Sequence, residues 1–169
     1  EWLQQLNAAY GLDDSVIQGY FVWASKAIRG QFGDSWLYNQ PVLQKFASVI
    51  WYSFALGLAS FILEIIIAIP AGVAAARKQY SLTDYSITVI ALIGISLPSF
   101  FFATILKWIF AVKLNWLDLY GIVGRMHQQL SPMGQFLDIA KHMIMPVLTL
   151  TIVSIGALMR YTRTNMLRY

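Results

Sequence analysis

The stretch FASVIWYSFALGLASFILEIIIAIPAGVAAA, residues 46–76, contains one charged side chain, Glu64. A helix crosses the hydrocarbon core of a bilayer with about 20 apolar residues, so this run is long enough to span it. Residues 85–112 form a second apolar run, with Lys107 near its far end. Residues 143–160 form a third, short, with ends that can extend into the headgroups. The composition agrees. Of 169 residues, 58% are hydrophobic and 12% charged, against about 25% charged in a soluble domain. Mean hydropathy is +0.59. A soluble globule of this size cannot hide that much apolar surface, and a disordered chain would be polar. The expected fold is all-α, a polytopic transmembrane helix bundle with three spans in this chain.

Two segments are expected, an extracytoplasmic one at 1–45 and a transmembrane core at 46–169. The first carries Trp2, Trp23 and Trp36 among its charges. Tyr20, Phe21, Trp23, Ala24 and Ile28 recur at helical spacing, which predicts an amphipathic helix over 16–29. Gly30, Gly33 and Asp34 end it. Such a helix lies on a membrane surface or packs against other helices. Between the first two spans is a short turn, 77–84, where Ser81 and Asp84 form a capping-box-like helix start. Between the second and third lies a loop, 113–142, with Gly121, Gly124, Pro132 and Gly134. The chain opens on Glu1 rather than Met, without a signal-peptide pattern, which suggests a truncated or processed start.

The net charge is +4, from 12 Lys+Arg against 8 Asp+Glu. In a membrane protein, that excess reports orientation rather than nucleic-acid binding. Basic residues are densest in the turn (Arg77, Lys78) and the tail (Arg160, Arg163, Arg168). The turn and the tail at 161–169 are therefore expected on the cytoplasmic side, with 1–45 and the long loop outside. Trp51, Tyr52, Trp108 and Trp116 mark one interface, and Tyr80, Tyr85 and Tyr161 the other.

Catalytic signatures are absent from the sequence. It holds no Walker A loop, G-x-S-x-G, H-E-x-x-H or G-x-G-x-x-G. The absence of cysteine removes thiolate metal sites and cysteine nucleophiles. His127 and His142 lie in or near the outer loop without a converging ligand set, so no metal, cofactor or enzyme activity is expected. The six methionines are scattered, and Met143 and Met145 read as packing.

Glu64 lies 12 residues before Ala76, about 18 Å along a helix, inside the apolar run. A carboxylate there costs on the order of 3 kcal/mol on insertion scales. It either lines a pathway and accepts protons, or bonds to a neighbouring helix through Thr149, Thr151 or Ser154. Pro70 and Pro98 each remove an N–H from the ladder, and Pro146 sits in the first turn of the third span. Gly94 relieves crowding at the Pro98 kink, and Ser96 and Ser99 can satisfy the backbone groups it frees. Glu64, Gly94, Ser96, Pro98 and Ser99 are thus the candidates for a translocation path or gate. Ala68, Gly72 and Ala76 form a small-residue ridge for close helix approach. Phe100, Phe101 and Phe102 point in different directions and cannot all line one path.

Four blocks resemble the binding-protein-dependent ABC transporter permeases for oligopeptides, dipeptides and nickel. They are YGLDDSVIQGYFVWASKAIRGQFGDSWLYNQPV (10–42), IPAGVAAARKQYSLTDYSI (69–87), GISLPSFFFATILKWIFAVKLNWL (94–117) and HMIMPVLTLTIVSIGALMRYTRTNML (142–167). Their order and spacing agree over nearly the whole chain. The resemblance implies a six-helix, type I importer permease in the cytoplasmic membrane of a prokaryote. It implies a second permease subunit, two cytoplasmic ATPase subunits, an extracytoplasmic substrate-binding protein, and alternating access driven by ATP hydrolysed elsewhere. Arg160, Arg163 and Arg168 would lead into the ATPase-docking loop. The family's first helix, its docking loop with the Glu-Ala-Ala and Gly signature, and its last two helices are not in this sequence. Peptides are the expected cargo, with nickel chelates, glutathione and sugars left open. Two other readings compete: a proton-coupled carrier using Glu64, and a scaffold subunit that transports nothing.

Overall fold

The computed structural model describes residues 15–168. Glu1–Asp14, with Trp2 and the start of the first family-like block, and Tyr169 lie outside the described residues. The chain divides into two units, one ending at Tyr52 and one beginning at Ser53. The division lies inside a helix rather than at the expected 45/46 boundary.

In the first unit, helix α1 spans Val16–Ile28, and the Ser15 hydroxyl caps it by accepting from the Gln18 N–H at 3.3 Å. Gly30, at φ +78°, ends it. No residue of α1 is buried, and Tyr20, Phe21 and Trp23 are all more than half exposed. The expected amphipathic helix thus carries its apolar side chains in the open. A short hairpin follows, absent from the expected elements: β1 (Asp34–Ser35) pairs antiparallel with β2 (Gln40–Pro41). Helix α2 then starts at Val42.

The second unit is helical. Helix α2 runs Val42–Arg77 with Pro70 inside it. Helix α3 spans Leu82–Ser96 and α4 spans Ser99–Leu106, continuing as a π-helical segment over Lys107–Lys113. A 3₁₀ turn at His127–Gln129 precedes the long helix α5, Pro132–Met166. Helices α2 and α5 are each long and apolar enough to cross a membrane, and α3 with α4 makes up the third candidate span.

Two expectations need correction. The run 85–112 is not one kinked helix. It is two helices meeting at 102°. Leu97 and Pro98 are both extended, with ψ of 138° and 144°. The proline ring excludes the residue before it from the α region, so α3 stops and α4 restarts in a new direction. The third span also starts earlier than residue 143. Ser131 caps α5 by accepting from Gly134 N–H at 3.3 Å, and Pro132 takes the first helical turn. Asp138 and Lys141, expected in a loop, are helical. Pro146 is interior to α5 rather than in its first turn.

The packed centre holds Ala68, Ala91, Ile155 and Met159. Here α3 and α5 meet backbone to backbone. A β-carbon on Gly94 would sit 2.7 Å from the Ile152 carbonyl oxygen, and one on Gly156 would strike the Ala91 carbonyl. Gly94 therefore permits the close interhelical approach. The small-residue ridge of α2 is buried at Ala68, Gly72 and Ala75, while Ala76 is only half-buried. A β-carbon on Gly72 would meet the Met159 carbonyl oxygen at 2.8 Å.

Substitution at these glycines is expected to destabilise the bundle by forcing backbones apart. Gly94→Ala and Gly156→Ala should each cost about 1–3 kcal/mol, the range for overpacking. Gly57→Ala, where nothing lies within 4 Å of the added carbon, should be neutral or stabilising by about 0.5–1 kcal/mol. Denaturant unfolding of the purified membrane protein checks the contrast.

Candidate functional site

Two polar constructions stand at opposite ends of the α3–α5 contact. The first joins the 77–84 turn to the end of α5. Ser81 caps α3 by accepting from the Asp84 N–H at 3.4 Å. In a standard capping box, the acid would reach back to the cap's own N–H. Here the Asp84 carboxylate accepts instead from the N–H of Tyr80 at 3.0 Å. Tyr80 takes a positive φ of 61° to present it. The same carboxylate receives a fork from Arg163: Nε to Oδ1 at 2.6 Å and Nη2 to Oδ2 at 2.8 Å. Asp84 is 3% exposed. A planar guanidinium suits such two-point contact, and the bonds to the ion satisfy a carboxylate withdrawn from solvent.

Of the three arginines of the expected basic lead-in, Arg163 is the one paired with Asp84. Arg160 and Arg168 remain exposed. Together with Tyr161, Thr164 and Asn165 they line a cavity of about 450 Å³.

The second construction lies in the elbow made by the 102° bend. One face of α4 (Ser99, Phe100, Ala103, Lys107), one face of α5 (from His142 to Leu150) and the loop at 118–121 enclose a pocket of about 490 Å³. Asp118 and His142 line it, and behind them runs a set of interlocked contacts. Asp138 accepts from Gly124 N–H at 2.9 Å and pairs with His127 Nδ1 at 2.6 Å. His142 Nδ1 lies 2.8 Å from the Asp138 carbonyl oxygen, so that nitrogen carries the proton. Its Nε2 is buried without a hydrogen bond and lies 3.5 Å from Asp118. Asp118 in turn pairs with Lys141 at 3.1 Å. Among the described residues, no three His, Asp or Glu side chains are set to hold a metal ion.

The pocket takes in Ser99 alone of the sequence candidates. Gly94 lies between α3 and α5, and Pro98 sits at the break. The hydroxyls of Ser96 and Ser99 form no hydrogen bond among the described residues, so they do not hold the backbone freed there. Glu64 is half-buried on α2, and its carboxylate has no polar partner among the described residues. The hydroxyls expected to hold it bond elsewhere: Thr149 to the Met145 carbonyl at 2.8 Å, Thr151 to Val147 at 2.8 Å, and Ser154 to Leu150 at 2.9 Å. Sequence reasoning missed Lys107 and Asp118 as neighbours. The one available signal was a lone lysine inside an apolar run.

Residues 68–169 match the sequence profile of the family described as "Binding-protein-dependent transport system inner membrane component". The chain is 33% identical over 165 residues to the oligopeptide transport system permease protein AppB of Bacillus subtilis, covering 97% of this chain and 51% of the relative. It is 32% identical over 168 residues to the oligopeptide transport system permease protein OppB of Salmonella typhimurium, covering 99% and 51%. The corresponding figures for OppB of Escherichia coli are 33% over 168 residues, 99% and 51%. The chain spans about half the length of the curated relatives it matches.

The Asp84–Arg163 fork is expected to protect the basic turn. Arg163→Met should make trypsin cleavage after Arg77 or Lys78 several-fold faster in open membrane preparations. Arg163→Lys keeps the charge but not the fork, and should fall between Met and wild type. Timed digestion with mass spectrometry reads the order.

Proposed function

The chain belongs to the binding-protein-dependent transport system inner membrane component family, and we propose that it forms part of the permease of an ATP-driven peptide importer. The observation carrying this reading is the match to oligopeptide permeases over 97–99% of the chain. Peptides cross by alternating access, and separate ATPase subunits hydrolyse ATP. The partners are a second permease subunit, two cytoplasmic ATPases and an extracytoplasmic binding protein. The 77–84 turn and the end of α5 face the cytoplasm, where their arginines and Lys78 favour that side. Residues 1–45 and the 114–131 loop face outward. The Asp84–Arg163 fork supports this arrangement, because it fixes two basic segments to one another on one side of the membrane. The elbow at Leu97–Pro98 supports a path: backbone interrupted within a span is tolerated where it is buried in protein or lines a wet cavity.

Glu64 favours a second reading, a proton-coupled carrier, because its carboxylate lies in an apolar span without a partner among the described residues. The test is uptake of trialanine by the assembled transporter in vesicles. Import is expected to require ATP, to survive an uncoupler while ATP is maintained, and to persist in Glu64→Gln. Loss of uptake on uncoupling together with loss in Glu64→Gln would establish the carrier instead. ATP-independent, uncoupler-insensitive absence of uptake would leave a scaffold.

A further inference from the structure

The elbow pocket contains two charges with opposite circumstances. Asp118 is committed: Lys141 holds it at 3.1 Å, and the His142 ring lies 3.5 Å away. Lys107 is not. The ion pairs among the described residues are Arg163–Asp84, Lys141–Asp118, His127–Asp138, and His142 with both Asp118 and Asp138. Lys107 enters none of them. Its ammonium stands 4.8 Å over the Tyr120 ring, a contact that orients the cation without neutralising it. A half-buried ammonium on an apolar wall retains a strong demand for an anion.

The backbone places this demand in the pocket. Phe100, Ala103 and Lys107 share one face at helical spacing. The π-helical segment begins at Lys107 and shifts the register after it. Lys107, the first residue of the π-helical segment, is therefore the last residue on that face. Helical π-turns of this kind concentrate at functional sites. The far wall is α5, from His142 to Thr149, which is seven residues or about 10 Å along the helix axis. Three extended peptide residues span at most about 10–11 Å. Phe100, Met145 and Leu150 supply apolar surface in the same pocket, and Ser99 and Thr149 add hydroxyls to its lining.

We propose that the elbow pocket binds a short peptide with its C-terminal carboxylate on the Lys107 ammonium. This rests on the peptide-import reading. It goes further by naming the end of the substrate that is recognised and the residue that recognises it. Tyr120 positions the ammonium, and the Asp118–Lys141–His142 contacts hold the loop that carries Tyr120.

The experiment uses the assembled transporter in phosphatidylcholine vesicles, free of anionic lipid. Acetylation by an N-hydroxysuccinimide ester is followed by mass spectrometry at Lys107, with Lys141 as internal reference. Trialanine is expected to slow acetylation of Lys107 about tenfold relative to Lys141, the scale of a charge-assisted contact. Trialanine amide should give no protection. Equal protection by acid and amide, protection by octanoate but not trialanine, or none at all would each overturn the proposal. In uptake, Lys107→Met should raise the half-saturating trialanine concentration about tenfold. It should leave the amide unchanged, and Lys107→Arg should restore the acid. Equal loss for acid and amide would also overturn it. If Lys107→Met fails to accumulate, the protection experiment on unaltered protein still decides. Protection without import would refute the transport reading and keep the pocket. Import without protection would do the reverse.

Discussion

The contact between α3 and α5 is the constraint on which the second unit depends. In a bilayer, burying apolar side chains against one another gains little, because lipid tails are equally apolar. Helices associate where their backbones come close and where polar groups find each other. Both happen along this one line. Ala91 lies seven residues after Asp84, and Gly156 lies seven residues before Arg163. The pairs Asp84–Arg163, Ala91–Gly156 and Gly94–Ile152 are therefore successive rungs of an antiparallel register. The ion pair sets the register and the glycines allow the distance. A side chain at either glycine would part the helices and pull on the fork at their end.

This line also determines where the elbow falls. Gly94 is the last rung, and the chain leaves α3 three residues later at Leu97. With α3 held against α5, the 102° turn at Leu97–Pro98 swings α4 past the same helix at a different level. A single span of the same composition would have placed Phe100, Ala103 and Lys107 along its own axis. The break makes them a wall facing α5. The pocket is thus a consequence of a proline, a pinned helix upstream and a long helix alongside.

Much of this was legible in the sequence, and the misses have physical causes. The spans could be read because a bilayer imposes length and hydropathy on contiguous residues. The small-residue ridge could be read from Ala68 and Gly72 for the same reason, although Ala75 rather than Ala76 completes it. The early start of α5 was missed, because Asp138 and Lys141 interrupt the apolar run from which the span was drawn. The bend at Pro98 was visible, but its angle was not, since proline forbids a conformation to its neighbour without choosing the replacement. Asp84 showed its capping role three residues from Ser81. Its partner is 79 residues away and left no local trace. The convergence of His127 and His142 on Asp138 is of the same kind.

The two polar constructions differ in a way that bears on what each can do. At the turn, Asp84 meets two guanidinium nitrogens and a backbone N–H, so both of its carboxylate oxygens are engaged. Such a closed set holds shape. At the elbow, the arrangement is open. His142 Nδ1 bonds a backbone carbonyl, and its Nε2, buried without a hydrogen bond, lies 3.5 Å from a carboxylate paired with Lys141. Lys107 lines the same cavity as Asp118 but enters no ion pair among the described residues. Buried polar groups are normally paired, and exceptions concentrate where a protein meets something it does not carry itself. With the buried Asp84 paired, the half-buried Lys107, which enters no ion pair among the described residues, is the charge that an anion from outside would complete.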